Sequence, residues 1–218
     1  MEANGREEKA LALFDFDGTM LPGDSIVAYV GYARKKGLLS LFGYLKTWSA
    51  AMAYLMKRIS AEESKTRALA FRQALGEKER AELDRAFVRE ALLPGIYPQA
   101  REALEKHRRE GKITLLVTAS TDNYMRYVSE ALGFDGLLAS NLDDQGRVNG
   151  NCKGEEKVKR VREWLAARNI LPDFSSSFAY GDSKSDLPML RLCGHPVQVN
   201  PKKKLKKAAP EMDTVTWG

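Results

Sequence analysis

Lys9-Ala10-Leu11-Ala12-Leu13-Phe14, followed at once by Asp15-Phe16-Asp17-Gly18-Thr19, is the stretch on which the reading of this chain turns. A short apolar run without turn formers reads as a strand buried on both faces. It stops at a carboxylate, and a second carboxylate follows two residues later. Residues i and i+2 leaving a strand point the same way, so Asp15 and Asp17 are expected to face one substrate. Gly18 frees the turn that follows, and Thr19 is placed to begin a cap.

Three further apolar runs repeat the pattern: 113–117 ending at Thr118, 177–180 ending at Gly181-Asp182, and 196–199 ending at Asn200-Pro201. Between them lie helical segments at 98–109, stopped by Gly111, at 122–132, stopped by Gly133, and at 155–168, after Gly154. Strands alternating with helices predict a doubly wound, mostly parallel, Rossmann-like α/β sheet. In such sheets reactive groups collect at the carboxyl ends of the strands. Here those ends carry Asp15 and Asp17, Thr118 and Asp182, a convergence that a core built only for stability does not need. Residues 141–151, with Gln145-Gly146 and Asn149-Gly150, read as a small hairpin.

The interval between the first two strands is too long for a simple crossover. Residues 26–36, 38–58, 61–75 and 77–92 all carry helical patterns, and Pro94-Gly95 returns the chain to the sheet. The expected organisation is a core of 1–24 and 94–218 carrying an all-helical cap at 25–93. Residues 38–56 hold a single charge, Lys46, and are flanked by Arg34-Lys35-Lys36 and Lys57-Arg58. Two readings stand for them: a helix buried within the cap, or one that lies in the interface of an anionic membrane. Gly43, Lys46 and the polar residues dilute the run too far for a span.

At 218 residues, 44% hydrophobic and 29% charged, the chain has the balance of a soluble globular protein. Met1 to Ala10 mix both charge signs with no apolar stretch, so no secretory signal is expected. Cys152 and Cys193 have no metal-type spacing and read as reduced thiols of a cytoplasmic protein. The net charge is +6, and the run 202–207 contributes much of it; this is expected to be the wet face of a short helix, without a nucleic-acid partner. His107 and His195 are expected to be structural.

The residue types at the strand ends suit phosphate chemistry. A carboxylate nucleophile displaces an alkoxide from phosphorus and holds the phosphoryl group covalently. A second carboxylate protonates the leaving oxygen and later activates water. Neighbouring anions facing a phosphate call for a divalent cation, and all-oxygen ligands favour magnesium. In Gly181-Asp182-Ser183-Lys184-Ser185-Asp186, Asp182 stands where a metal ligand is needed. Asp186 reads as the N-cap of the next helix as well as a group near the ion. Thr118 and Ser120 offer donors to phosphate oxygens. A fixed cation would steady the transferring group, for which Lys157 and the looser Lys153 are both candidates.

With these elements in this order, the sequence resembles the haloacid dehalogenase superfamily of phosphatases over nearly its whole length. The insert after the first motif is similar to the cap of the phosphoserine-phosphatase-like branch (subfamily IB). Leu21-Pro22-Gly23-Asp24-Ser25, Cys152-Lys153-Gly154-Glu155-Glu156-Lys157-Val158 and the region 180–190 resemble the bacterial subgroup that holds phosphatidylglycerophosphatase C and a type of histidinol-phosphatase. The resemblance implies Asp15 as nucleophile and Asp17 as general acid and base. It implies magnesium held by the Asp15 side chain, the Asp17 carbonyl and Asp182, with phosphate held by Thr118 and Lys157. It favours Lys157 over Lys153, and sets Asp24 near a position used to read substrate. Ala119-Ser120 departs from the Gly-Gly pair of phosphoserine phosphatases. The activity expected is hydrolysis of a small phosphorylated metabolite, with a lipid phosphate, or phosphotransfer through the same intermediate, as the alternatives.

Overall fold

The computed structural model describes residues 8–218. Residues 1–7, on which the reading of the amino-terminal ten residues and the start of the expected core segment rest, lie outside the described residues. Seven strands form one sheet in the order β4-β3-β2-β1-β5-β6-β7. β1 (Lys9–Phe14) is central, and its last four residues are fully buried. It runs parallel to β2 (Ile113–Thr121) on one side and β5 (Pro172–Gly181) on the other. β6 (His195–Val199) and β7 (Asp213–Val215) extend the second side in parallel. β3 (Gly136–Leu142) extends the first side in parallel, and β4 (Val148–Asn149) closes that edge antiparallel to it.

The period-two alternation of β1 divides the interior into two layers. Ala12 and Phe14 join an apolar cluster on one face, with Leu104 of α5 (Pro98–Arg109) and Val128 of α6 (Asp122–Leu132). Leu11 and Leu13 point to the other face, with Val161 of α7 (Glu155–Ala166), Leu190 of α8 (Leu187–Leu192) and Leu205 of α9 (Lys203–Ala208). The sheet is therefore covered on both sides, as an all-apolar central strand requires. Because β2 to β4 build the sheet on one side of β1 and β5 to β7 on the other, the strand order reverses at β1 and the crevice lies at its carboxyl end.

Two strands were not fully legible. The hairpin expected at 141–151 is present, Asn141 and Leu142 of β3 pairing with Asn149 and Val148 of β4, but β3 itself begins earlier, at Gly136; β7 follows β6, so His195 opens the penultimate strand rather than the last. β2 also runs past Thr118 to Thr121, with a register shift after Val117. His107 is buried, its Nε2 2.8 Å from the Tyr180 hydroxyl.

Residues 25–95 are helical throughout apart from short connections. They form α1 (Ser25–Lys35), α2 (Leu41–Leu55), α3 (Ala61–Leu69) with a 3-10 extension to Ala74, and α4 (Glu77–Phe87) with a π turn to Leu92. α1 and α4 share the sheet's own core: the Tyr29 and Phe87 rings lie 4.7 Å apart, and Tyr124 of α6 packs on both. A buried pair secures this joint. Asp84 accepts from both Arg72 guanidinium nitrogens, from Tyr29 and from Asn123 of α6. α2 is different. Of its residues only Ala50 is buried, so the expectation of a helix buried within the cap is corrected. Its apolar positions exceed what α1 and α3 cover. No helix among the described residues is long and apolar enough to cross a membrane.

Candidate active site

Asp15 continues the sheet ladder, its N–H donating to the Tyr180 carbonyl at 3.0 Å. The chain then folds over the Phe16 carbonyl, which accepts from Thr19, Met20 and Leu21. Gly18 takes φ +84°, and a β-carbon there would stand 2.2 Å from Asp182 Oδ2. Only glycine permits both the turn and the approach to Asp182.

Lys157 projects from the first turn of α7 into the crevice and is 1% exposed. Its Nζ donates to Asp15 Oδ1 at 2.6 Å and to Asp186 Oδ1 at 2.7 Å. Thr19 Oγ1 donates to Asp15 Oδ2 at 3.0 Å rather than capping a helix. Asp186 Oδ2 accepts from the Ser183 N–H and hydroxyl at 3.0 and 2.6 Å. No N–H of α8 bonds to that side chain, so its N-cap reading is corrected: the carboxylate ties the Ser183 turn to Lys157. Asp182 Oδ2 accepts from Lys202 Nζ at 2.6 Å.

Asp17 faces another set of groups. Its Oδ1 accepts the Ser25 N–H at 2.6 Å, and its Oδ2 accepts the Ser120 hydroxyl. Ser25 Oγ lies 2.8 Å from Ser120 Oγ and 3.0 Å from the Tyr124 hydroxyl. Thr118 is buried, and its hydroxyl accepts the Ser120 N–H at 3.0 Å, which fixes the bend in β2. Asp24 caps α1 through Oδ1, at 2.9 Å from the Ile26 N–H. Lys153 stands apart from the carboxylates, its Nζ 3.4 Å from the Tyr54 hydroxyl.

Burial and charge crowding set the protonation of the centre. Burial, then repulsion from Asp186, pushes Asp15 well above the usual carboxylate range, with Lys157 opposing. Burial also opposes charge on Asp186, yet attraction to Lys157 outweighs it and holds that carboxyl low. Lys157 itself is driven up: burial disfavours its charge, and its two aspartates more than compensate. Burial and repulsion from Asp24 raise Asp17 to about 6, opposed by its bonds from Ser120 and Ser25. A carboxyl at that level serves as acid and as base near neutrality.

Asp15, Asp182 and Asp186 offer carboxylate oxygens within 4.8 Å of one another, all buried. Three such groups exceed the two lysines that face them, and all their donors are hard oxygens. The space kept open at Gly18 lies against the same Asp182 oxygen. These residues fit a divalent cation. The Asp17 carboxylate is outside the cluster.

Sequence reasoning missed four contributors. Lys202 was absorbed into the basic run, although its place after Asn200-Pro201, at a strand's carboxyl end, marked it. Ser25 belongs to the stretch Leu21-Pro22-Gly23-Asp24-Ser25, yet nothing in that stretch gave it a role. Lys65 and Asn151 meet across the crevice: Lys65 Nζ donates to Asn151 Oδ1 at 2.6 Å and to the Ala119 carbonyl at 2.5 Å. Burial in this position lowers the Lys65 ammonium to about 8. Beside these groups a cavity of about 400 Å³ opens between α1, α2 and α3, with Asp17, Asp24 and Ser120 at its polar end and Tyr44, Trp48 and Tyr54 on its wall.

The profile of the haloacid dehalogenase-like hydrolases matches residues 12–191, and the chain belongs to that family. Fold and aspartate cluster together make it a phosphatase of the aspartyl-phosphate type. The chain is 32% identical to a histidinol-phosphatase of Neisseria meningitidis serogroup C, across 93% of this chain and 96% of that protein. A Bordetella pertussis structure of unknown function superposes with a TM-score of 0.86 at 26% identity, covering 96% of this chain and 99% of that one. A phosphoserine phosphatase solved as a phospho-aspartyl intermediate analogue shares the fold, with a TM-score of 0.64 at 19% identity, over 95% of this chain and 93% of that one.

Proposed function

We propose that Asp15 is the nucleophile and Asp17 the general acid and base of a phosphomonoesterase with a histidinol-phosphate-like or phosphoserine-like substrate. The observation that carries this reading is the meeting of Asp15, Lys157, Asp182 and Asp186 beside an aromatic-walled cavity with Asp17 and Asp24 at its polar end. An Asp15 oxygen attacks phosphorus, and the bond to the leaving oxygen breaks as Asp17 protonates it. Asp17 then takes a proton from water, whose oxygen attacks the phosphorus and releases Asp15 and inorganic phosphate. Lys157 and Thr118 hold phosphoryl oxygens in both steps, with Ser120 orienting Asp17.

Magnesium suits the donor set; Asp15, Asp182, the Asp17 carbonyl and, at a further remove, Asp186 would hold it, and when bound it offsets the crowding of anions. Asp24 and the rings of Tyr44, Trp48 and Tyr54 favour a leaving group that carries an amine or imidazole. Residues 25–93 act as the cap over that cavity, with 1–24 and 94–218 as the catalytic core. Two buried thiols without a disulfide accord with a cytoplasmic enzyme. The test is Asp15→Asn assayed with magnesium against histidinol phosphate and phosphoserine. Turnover should fall by at least about a thousandfold, and a variant that kept a tenth of the activity would remove Asp15 from the role.

A further inference from the structure

Helix α2 presents an apolar face that nothing among the described residues covers. Leu41, Phe42, Leu45, Met52, Leu55 and Met56 are each more than half exposed. At 100° per residue they occupy one stripe, an arc of roughly 140°. Trp48 lies inside that stripe, 46% exposed, and with Leu55 it also lines the cavity. The stripe therefore borders the cavity mouth.

Along the segment that carries this face the charge has one sign. From Ser25 to Ala61 the sequence holds six basic residues and no Asp or Glu, a surplus equal to the +6 of the whole chain. Arg34, Lys35 and Lys36 stand exposed beyond one end of α2, and Lys57 and Arg58 beyond the other. Glu90 engages Lys36 from the neighbouring segment at 3.0 Å. Lys46 lies over the Phe42 ring, 4.7 Å from its centroid, its stem along the apolar face and its charge at the edge.

We propose that α2 is an interfacial helix that docks this protein on an anionic phospholipid bilayer. The exposed stripe would enter the boundary between headgroups and acyl chains, with the lysines and arginines at both ends against lipid phosphates. Trp48 stands at the border between apolar and polar surface, where its ring is favoured. A second copy fits less well. An isologous contact through this face would bring two cationic rims together. Docking does not depend on the catalytic reading, and it would hold the cavity mouth beside the bilayer.

The test is co-sedimentation of the full chain with phosphatidylcholine vesicles and with vesicles that also contain phosphatidylglycerol. Binding is expected to the anionic vesicles, falling as salt rises, and little to phosphatidylcholine alone. The Leu45→Asp/Met52→Asp pair changes only exposed positions and should abolish binding while circular dichroism and melting stay unchanged. Lys57→Gln or Arg58→Gln should each weaken partitioning about fivefold. Protein left in the supernatant with anionic vesicles would overturn the proposal in favour of a protein partner. Binding untouched by the double substitution would overturn it too. A dimer by light scattering that the same pair disperses would assign the face to a second copy.

Discussion

Lys157→Met keeps the length and packing of a side chain that is 1% exposed while removing its charge. In the protein that charge is shared by Asp15 Oδ1 at 2.6 Å and Asp186 Oδ1 at 2.7 Å, and both carboxylates are buried. Removing one partner of a buried ion pair costs about 3–5 kcal/mol, because the other charge stays buried and uncompensated. With an unfolding entropy of about 2.1 cal/mol/K per residue over 218 residues, that loss lowers Tm by roughly 7–11 °C. Scanning calorimetry at neutral pH measures it directly. Magnesium should raise the variant's Tm more than the wild type's, since the cation replaces part of the missing charge. The rate carries a second signature: loss of one fixed positive group at the phosphoryl oxygens lowers kcat by about 10²–10³-fold. A variant that melts within 2 °C of wild type, and whose kcat stays within about threefold, would refute the placement of Lys157 between the two carboxylates.

Gly18→Ala forces a side chain into positive φ and sets its β-carbon 2.2 Å from Asp182 Oδ2. Strain of about 1–3 kcal/mol and a displaced Asp182 should raise the magnesium concentration for half-maximal activity on the order of tenfold, read from a metal titration of the initial rate. Lys65 is charged only below about 8, because burial disfavours its ammonium. As pH rises through that value its proton is lost and with it an attraction for an anionic substrate. The ratio kcat/KM should therefore fall on the alkaline side, Lys65→Arg should push that limb upward, and Lys65→Met should remove it. An identical limb in all three would exclude Lys65.

Much of the core was legible because its signals are local. An apolar strand ending in Asp15-Phe16-Asp17-Gly18-Thr19 needs no partner to be seen, nor does Gly181-Asp182 at the end of another. β7 and the first half of β3 escaped because short strands at or next to the sheet's edges borrow their stability from the neighbour they pair with. Asp186 was half read. Its place before Leu187-Pro188 marks a cap locally, whereas the hydrogen bonds it makes go to Ser183 and Lys157. Residues 38–56 read first as a buried helix and second as an exposed one, since composition says how apolar a helix is and not what covers it.

The sequence by itself determined the order of strands and helices, the carboxylates at the strand ends and the choice of Lys157, by resemblance, over Lys153. The first two follow from periodicity, turn chemistry or spacing within a few residues. Tertiary structure decided which groups meet. It drew Lys202 from a basic run onto Asp182, brought Lys65 across the crevice to Asn151, turned the Asp17 carboxylate toward Ser25 and Ser120, and left α2 uncovered. Those contacts join residues from 8 to 103 positions apart, and no local pattern encodes which of them meet. They form because burial of the two apolar layers on the sheet fixes where each backbone segment ends, and the polar groups at those ends must then find one another.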